Sequence, residues 1–153
     1  IIKWPGVTNA GSICDKLVSQ IDFMGTIASS LGYKLPDDAA EDSHDILPLL
    51  HGRKKAPRTV HVHNTRAEAW AIRVGEWNLI VGKSGYHSGR RKPWEEKRNY
   101  PADDDDSVEL YHYAKDLSQR NNLAKKFPKK VEDLKRELKV ARERDFTAPR
   151  LLK

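Results

Sequence analysis

Residue types able to do chemistry fall at four places in the chain. Cys14 is the single cysteine, so no internal disulfide can form and the redox compartment stays open. His61 and His63 lie in the alternating run Thr59-Val60-His61-Val62-His63, which puts both imidazoles on one face of a strand at a spacing that metal ligands use. No nearby Cys, Asp or Glu completes a ligand set, so the pair reads as a polar strand face. The stretch Gly82–Asp106 carries Lys83, Tyr86, His87, Arg90, Arg91 and Lys92 among Gly, Ser and Pro residues. A loop of that length inside a compact domain is either functional or disordered. It ends in Asp103-Asp104-Asp105-Asp106, which lacks both the glycine and the alternating acids of an EF-hand. That run reads as a solvated loop tip rather than a cation site.

These groups need elements to position them. The clearest is the stretch Ala69–Val81, expected to form two short strands around a Gly75-Glu76 turn. Trp70, Ile72 and Val74 alternate with Ala71 and Arg73, giving the first strand two distinct faces. Leu79-Ile80-Val81 runs without alternation, as in a strand covered on both sides. Further strands are expected at Ile1–Trp4, Thr59–His63 and Val108–Tyr113. Asp15 is a plausible N-cap for a helix whose apolar stripe is Leu17, Ile21, Met24, Ala28 and Leu31, closed by Gly32. Asp22 sits off that stripe, as a solvent-facing or capping carboxylate does. Ile46, Leu47, Leu49 and Leu50 form a short apolar knot, and Arg53–Arg58 a basic loop. Asp116–Lys126 is expected as a polar turn with a short helix holding Asn121-Asn122. Pro128 suits the first turn of a last helix, with Val131, Leu134, Leu138 and Ala141 as its stripe. Strands in series followed by a helix predict an α+β fold: a small antiparallel sheet of about four strands with a C-terminal helix packed on it, preceded by one separate helix.

The chain has 153 residues, 38% apolar and 33% charged, and no apolar run of membrane-spanning length. Charge is uneven. Residues 1–50 hold three basic and seven acidic residues, whereas residues 51–153 hold 25 basic and 15 acidic. The basic part is compatible with a polyanionic partner, sulfated glycan, nucleic acid or an anionic surface, although composition alone favours a solvated surface. On the mixed-sign final helix, nucleic-acid binding is the weaker expectation. The opening Ile1-Ile2-Lys3-Trp4-Pro5-Gly6 reads as a strand cut at its start, so the chain is expected to be a piece of a longer protein.

Several stretches, taken in order, resemble the C-terminal region of the type I sulfatases, the arylsulfatase family. Ile1–Gly6 is similar to the family's strand and Trp-Pro-Gly turn. Val18-Ser19-Gln20-Ile21-Asp22-Phe23-Met24-Gly25-Thr26 resembles Val-Ser-x-x-Asp-x-x-Pro-Thr, with Gly25 in place of Pro. Glu41–Gly52 resembles the approach to Leu-Pro-Leu-Leu-x-Gly. Ala71–Ile80 resembles the pair of strands around Arg-x-Gly-x-Trp-Lys-Leu, with Asn78 in place of Lys. Glu109–Ala124 resembles Glu-Leu-Tyr-Asp-Leu-x-x-Asp-Pro-x-Glu-x-Asn-Leu-Ala, with His112 and Arg120 departing from Asp and Glu.

The resemblance implies a division into 1–52, the last segment of the catalytic α/β domain, and 53–153, a C-terminal subdomain of sheet plus helix. It also implies what lies elsewhere. The family's nucleophile is a formylglycine made from Cys or Ser followed by x-Pro-x-Arg, and Cys14-Asp15-Lys16-Leu17-Val18 does not match. The acidic ligands of the divalent cation, normally Ca²⁺, have no counterpart here, and the Lys-x-x-x-x-Glu-Gly-Gly motif would stand upstream of Ile1. The implied partner is therefore the N-terminal sulfatase catalytic domain, the implied parent activity is sulfate-ester hydrolysis, and the chain alone is expected to be inactive. The implied substrate contacts are Lys83, pairing with a sulfate oxygen, and His87, donating to sulfate or to a leaving-group oxygen. Family members are usually exported, although nothing in this sequence fixes a location. A purely structural role, covering an exposed face of the catalytic core, predicts an apolar patch on the isolated piece and self-association.

Overall fold

The computed structural model describes residues 1–66, 69–82, 93–98, 107–144 and 148. They fall into two compact units, one of Ile1–Thr59 with Arg144 and Ala148, the other Val60–Glu143.

The second unit contains β1 (Val60–Arg66), β2 (Ala69–Val74), β3 (Trp77–Val81), α3 (Pro93–Lys97), β4 (Val108–His112) and α4 (Pro128–Glu143). The strands form a four-stranded antiparallel sheet in the order β1-β2-β3-β4. Register follows the alternation in the sequence. Val62, Ile72, Leu79 and Leu110 stand side by side across the sheet, and Ile72, Leu79 and Leu110 meet Val131, Leu134 and Leu138 of α4 in the core. Each fully buried leucine there contributes about 1.5–3 kcal/mol. The expected sheet-plus-helix architecture is thus the observed one.

Local details explain the turn. Val74 pairs with Trp77 across two residues, and Gly75 takes φ +57° at the first of them. Arg73 Nε donates to Gly75 O at 3.0 Å, and its guanidinium lies 4.5 Å from the Tyr113 ring centroid. Tyr113 N–H in turn donates to Glu76 O at 2.8 Å. Burial raises the Tyr113 pKa, opposed by the Arg73 charge. Arg73 therefore braces the hairpin against the segment after β4. The outer edge of β4 is covered by Asn122: its Oδ1 accepts from Leu110 and Ala124 N–H, each at 3.0 Å, and its Nδ2 donates to Val108 O at 3.2 Å. The residues from Asp116 to Lys126 form turns, not the expected short helix. Asp116 Oδ2 takes the Arg120 and Asn121 N–H groups at 2.8 Å each, which favours a turn over a continuing helix.

The first unit holds α1 (Asp22–Ser30) and α2 (Leu47–Leu50). Ile1–Trp4 is not a strand; Trp4 instead anchors a turn, its O accepting the N–H groups of Val7 and Thr8 at 3.0 and 2.9 Å. Helix α1 begins seven residues after Asp15, not at it. Asp15 pairs with Lys16 at 3.1 Å. Asp22 Oδ2 accepts Ser19 N–H at 2.8 Å while Ser19 O accepts Asp22 N–H at 3.1 Å, a turn that leads into the helix, whose N-cap Ile21 carries no side-chain cap. No described helix is long and apolar enough to cross a membrane.

Candidate functional site

In the second unit the sheet ends in the rung Trp70–Val81–Val108. Beyond it Gly82 N–H donates to Ser107 O at 2.8 Å, which ties together the two ends of the stretch between them. Helix α4 runs past this end. Val81, Leu138, Lys139 and Arg142 line a groove of about 410 Å³. Val108, Ala124 and Pro128 line a second cavity of about 290 Å³, and Lys135 borders both. Lys135 pairs with Glu132 at 3.0 Å and Lys139 with Glu143 at 3.9 Å. The Arg142 guanidinium sits 4.2 Å from the Trp70 ring centroid, which fixes its plane while leaving its edge donors for an anion. Lys135, Lys139 and Arg142 can attract an anionic group, with Glu132 and Glu143 of the same lining offsetting two of the charges.

The first unit contains a different constellation, around Asp22. This carboxylate is wholly buried. Arg58 Nη2 donates to Asp22 Oδ1 at 2.5 Å and Arg58 Nε to Asp22 Oδ2 at 3.1 Å. Arg58 Nη2 also donates to Asp42 O at 2.6 Å, and His44 N–H donates to Asp22 Oδ1 at 3.0 Å. Burial alone pushes the Asp22 carboxyl up, but the Arg58 hydrogen bonds and the N–H groups of His44 and Ser19 outweigh it and hold it below the usual carboxylate range. The His44 imidazole is depressed, first by burial and then by the Arg58 charge, against the pull of Asp22 and Asp42. Its Nδ1 is buried with no hydrogen-bond partner, so a second ring proton has no acceptor at that atom. Thr26 Oγ1 donates to Asp22 O at 2.6 Å and accepts Ile46 N–H at 3.0 Å. Gly25 N–H donates to Ser43 Oγ at 2.7 Å, and a Cβ at Gly25 would stand 2.8 Å from that oxygen. The proline usual at this place in the resembled motif has no N–H to give, so the exchange for glycine is used. The hydrogen bonds of Asp22, Gly25 and Thr26 hold α1 against residues 42–46 and Arg58, and so act as a structural staple.

Lys83 and His87, the substrate contacts implied by the resemblance, lie outside the described residues, as does Asp103–Asp106. His61 and His63 are on the sheet face opposite α4, their rings stacked with centroids 5.4 Å apart. Arg73 stands opposite His61 in register, an unfavourable neighbour for a bound cation. Among the described residues no three His, Cys, Asp or Glu side chains are placed to hold a metal. Cys14 is exposed and free. Among the described residues nothing fits the Ca²⁺ site of the resembled family, and Cys14 does not stand in its formylglycine motif. The sequence suggests a solvent-facing or capping carboxylate at Asp22, whereas it is wholly buried and paired with Arg58. Nothing local signals a partner 36 residues away.

No family model matches the chain. Curated relatives do. The N-acetylgalactosamine-6-O-sulfatase of Bacteroides thetaiotaomicron is 30% identical over 134 residues, 88% of this chain and 25% of its own length. Mouse arylsulfatase J is 26% identical over 88% of this chain and 27% of its own length. Human steryl-sulfatase is 38% identical over 36% of this chain and 9% of its own length. A solved structure from a study of glycosaminoglycan metabolism by Bacteroides thetaiotaomicron superposes with a TM-score of 0.61 at 28% identity, covering 80% of this chain and 24% of that one. A 2-O glycosaminoglycan sulfatase shares the fold with a TM-score of 0.52 at 21% identity, over 81% of this chain and 25% of that one. The chain thus spans about a quarter of the length of the relatives that match most of it.

Proposed function

Taking as premise that this chain belongs with the sulfatases as a counterpart of their C-terminal region, we propose that it is the C-terminal part of a sulfuric ester hydrolase whose reaction is performed by polypeptide outside it. The observation that carries this reading is a sulfatase kinship extending over 88% of the chain, through both compact units. In this reading residues 1–52 complete the catalytic domain, and residues 53–153 form an accessory subdomain at the edge of the substrate pocket. In the same reading the nucleophile (formylglycine) and Ca²⁺ belong to the remainder.

The subdomain's contribution is binding. Lys83 follows Gly82 in the sequence, and α4 carries Lys135, Lys139 and Arg142, with Glu143, beside Val81. A cationic neighbourhood raises the local concentration of a sulfated substrate, and Lys83 and His87 then contact sulfate and leaving-group oxygens directly. The first substrate to test is a 6-sulfated amino sugar, after the relative that aligns over most of the chain. The experiment is sulfate release by the protein carrying its upstream polypeptide, with Lys83→Ala and His87→Ala compared. Both variants are expected to raise KM or lower kcat/KM by about tenfold, the order of one charge-assisted contact. Unchanged kinetics in both removes the loop from the site.

A further inference from the structure

Helix α1 is built inside out. Its engaged side is polar: Asp22, the Gly25 N–H, Thr26 and Ser29 all bond to residues 42–46 or to Arg58. Its large apolar residues point the other way, and only the small Ala28 is buried among its apolar ones. Ile21 is 46% exposed, Phe23 45%, Met24 57%, Ile27 52% and, one residue past the helix, Leu31 76%. Ile21, Met24, Ile27 and Leu31 recur at spacings of three and four, so they form one continuous stripe. The helix cannot roll to bury that stripe without breaking the Asp22–Arg58 pair and leaving both charges without partners in the interior. A surface helix normally does the reverse.

We infer that this stripe is the seam along which the chain docks onto the upstream polypeptide of its parent sulfatase. The relatives that align with this chain carry about three-quarters of their length outside the aligned part, enough to supply the apolar surface that Met24, Ile27 and Leu31 need. The inference rests on the sulfatase reading for the identity of the occupant. The polar side of α1 then has a purpose: the staple through Asp22 and Arg58 holds the stripe outward, at a fixed angle, against residues 42–46.

Met24 is the only methionine of the chain, so its oxidation reports on the stripe directly. Peroxide is applied to the 153-residue chain and to the protein with its upstream polypeptide, and sulfoxide at Met24 is followed by peptide mass spectrometry. Oxidation is expected to be readily measurable in the chain alone and slowed about tenfold or more in the longer protein, because susceptibility follows exposure. The double variant Met24→Lys/Ile27→Lys adds an independent arm. In the chain alone it replaces exposed side chains, so helicity and melting temperature hold; in the longer protein it buries unpaired charge, and soluble yield drops several-fold. Equal oxidation in both proteins overturns the inference. So does protection that grows with concentration in the chain alone and is absent from the longer protein, which assigns the stripe to a second copy. Protection of Met24 in a longer protein that releases no sulfate upholds the docking seam and removes the enzymatic reading instead.

Discussion

The buried pair at Asp22 makes a quantitative prediction. Arg58→Met keeps a long aliphatic stem but removes the guanidinium. Asp22 then loses the donors at 2.5 and 3.1 Å while keeping the N–H groups of Ser19 and His44 at 2.8 and 3.0 Å. Removing one partner of a buried pair costs about 3–5 kcal/mol. The two surviving N–H bonds place this case at the lower end, about 3 kcal/mol, or roughly a 100-fold change in the opening equilibrium. The assay is native-state hydrogen exchange. The Ile46 and His44 amides, which bond to Thr26 and Asp22, should exchange about 100-fold faster in the variant. The Leu79 amide, in the other unit's sheet, should not change. Asp22→Asn combined with Arg58→Met should cost at least about 1 kcal/mol less than the two single changes added together, because the second change removes a partner already lost. Acceleration below about fivefold at Ile46 and His44, or strict additivity, would refute the staple.

Two further outcomes follow from particular residues. Asp22 and His44 are both depressed in the folded chain, so each gives stability that is present above its unfolded pKa and lost as pH falls toward its folded one. Melting temperature should be level above about pH 6.5, fall below it as unfolded His44 takes up a proton, and fall again below about pH 4 through Asp22; His44→Gln should abolish the first fall, and a decline that survives in that variant contradicts the assignment. Asn122→Ala removes three hydrogen bonds at the β4 edge and should cost about 1–3 kcal/mol in urea unfolding, with an unchanged m-value.

How much of this was written in the sequence depends on the range of each interaction. The hairpin was legible because Gly75 and the alternation of Trp70, Ile72 and Val74 act over neighbouring residues. Helix α4 was legible because Val131, Leu134 and Leu138 repeat at helical spacing and are buried. In α1 the same kind of periodicity was real but misleading. Of the expected stripe, Met24 and Leu31 lie on a face that is open in this chain while Ala28 is buried, and the buried face is set by hydrogen bonds to residues 42–46 and Arg58, far along the sequence. Periodicity shows that a stripe exists; it does not say which molecule covers it. Asn122 posed a similar difficulty, since covering a strand edge with a side chain leaves no repeating pattern. Lys83 and His87 came from family resemblance alone.

We propose that sulfate-ester hydrolysis is performed by polypeptide outside this chain, to which the chain contributes as a C-terminal part. The most direct test is sulfate release from an aryl sulfate and from N-acetylgalactosamine 6-sulfate, measured side by side for the 153-residue chain and for the protein with its upstream polypeptide. The account predicts no turnover by the chain alone and catalytic sulfate release by the longer protein. Turnover by the isolated chain, or a folded longer protein silent on every sulfate ester, would contradict it.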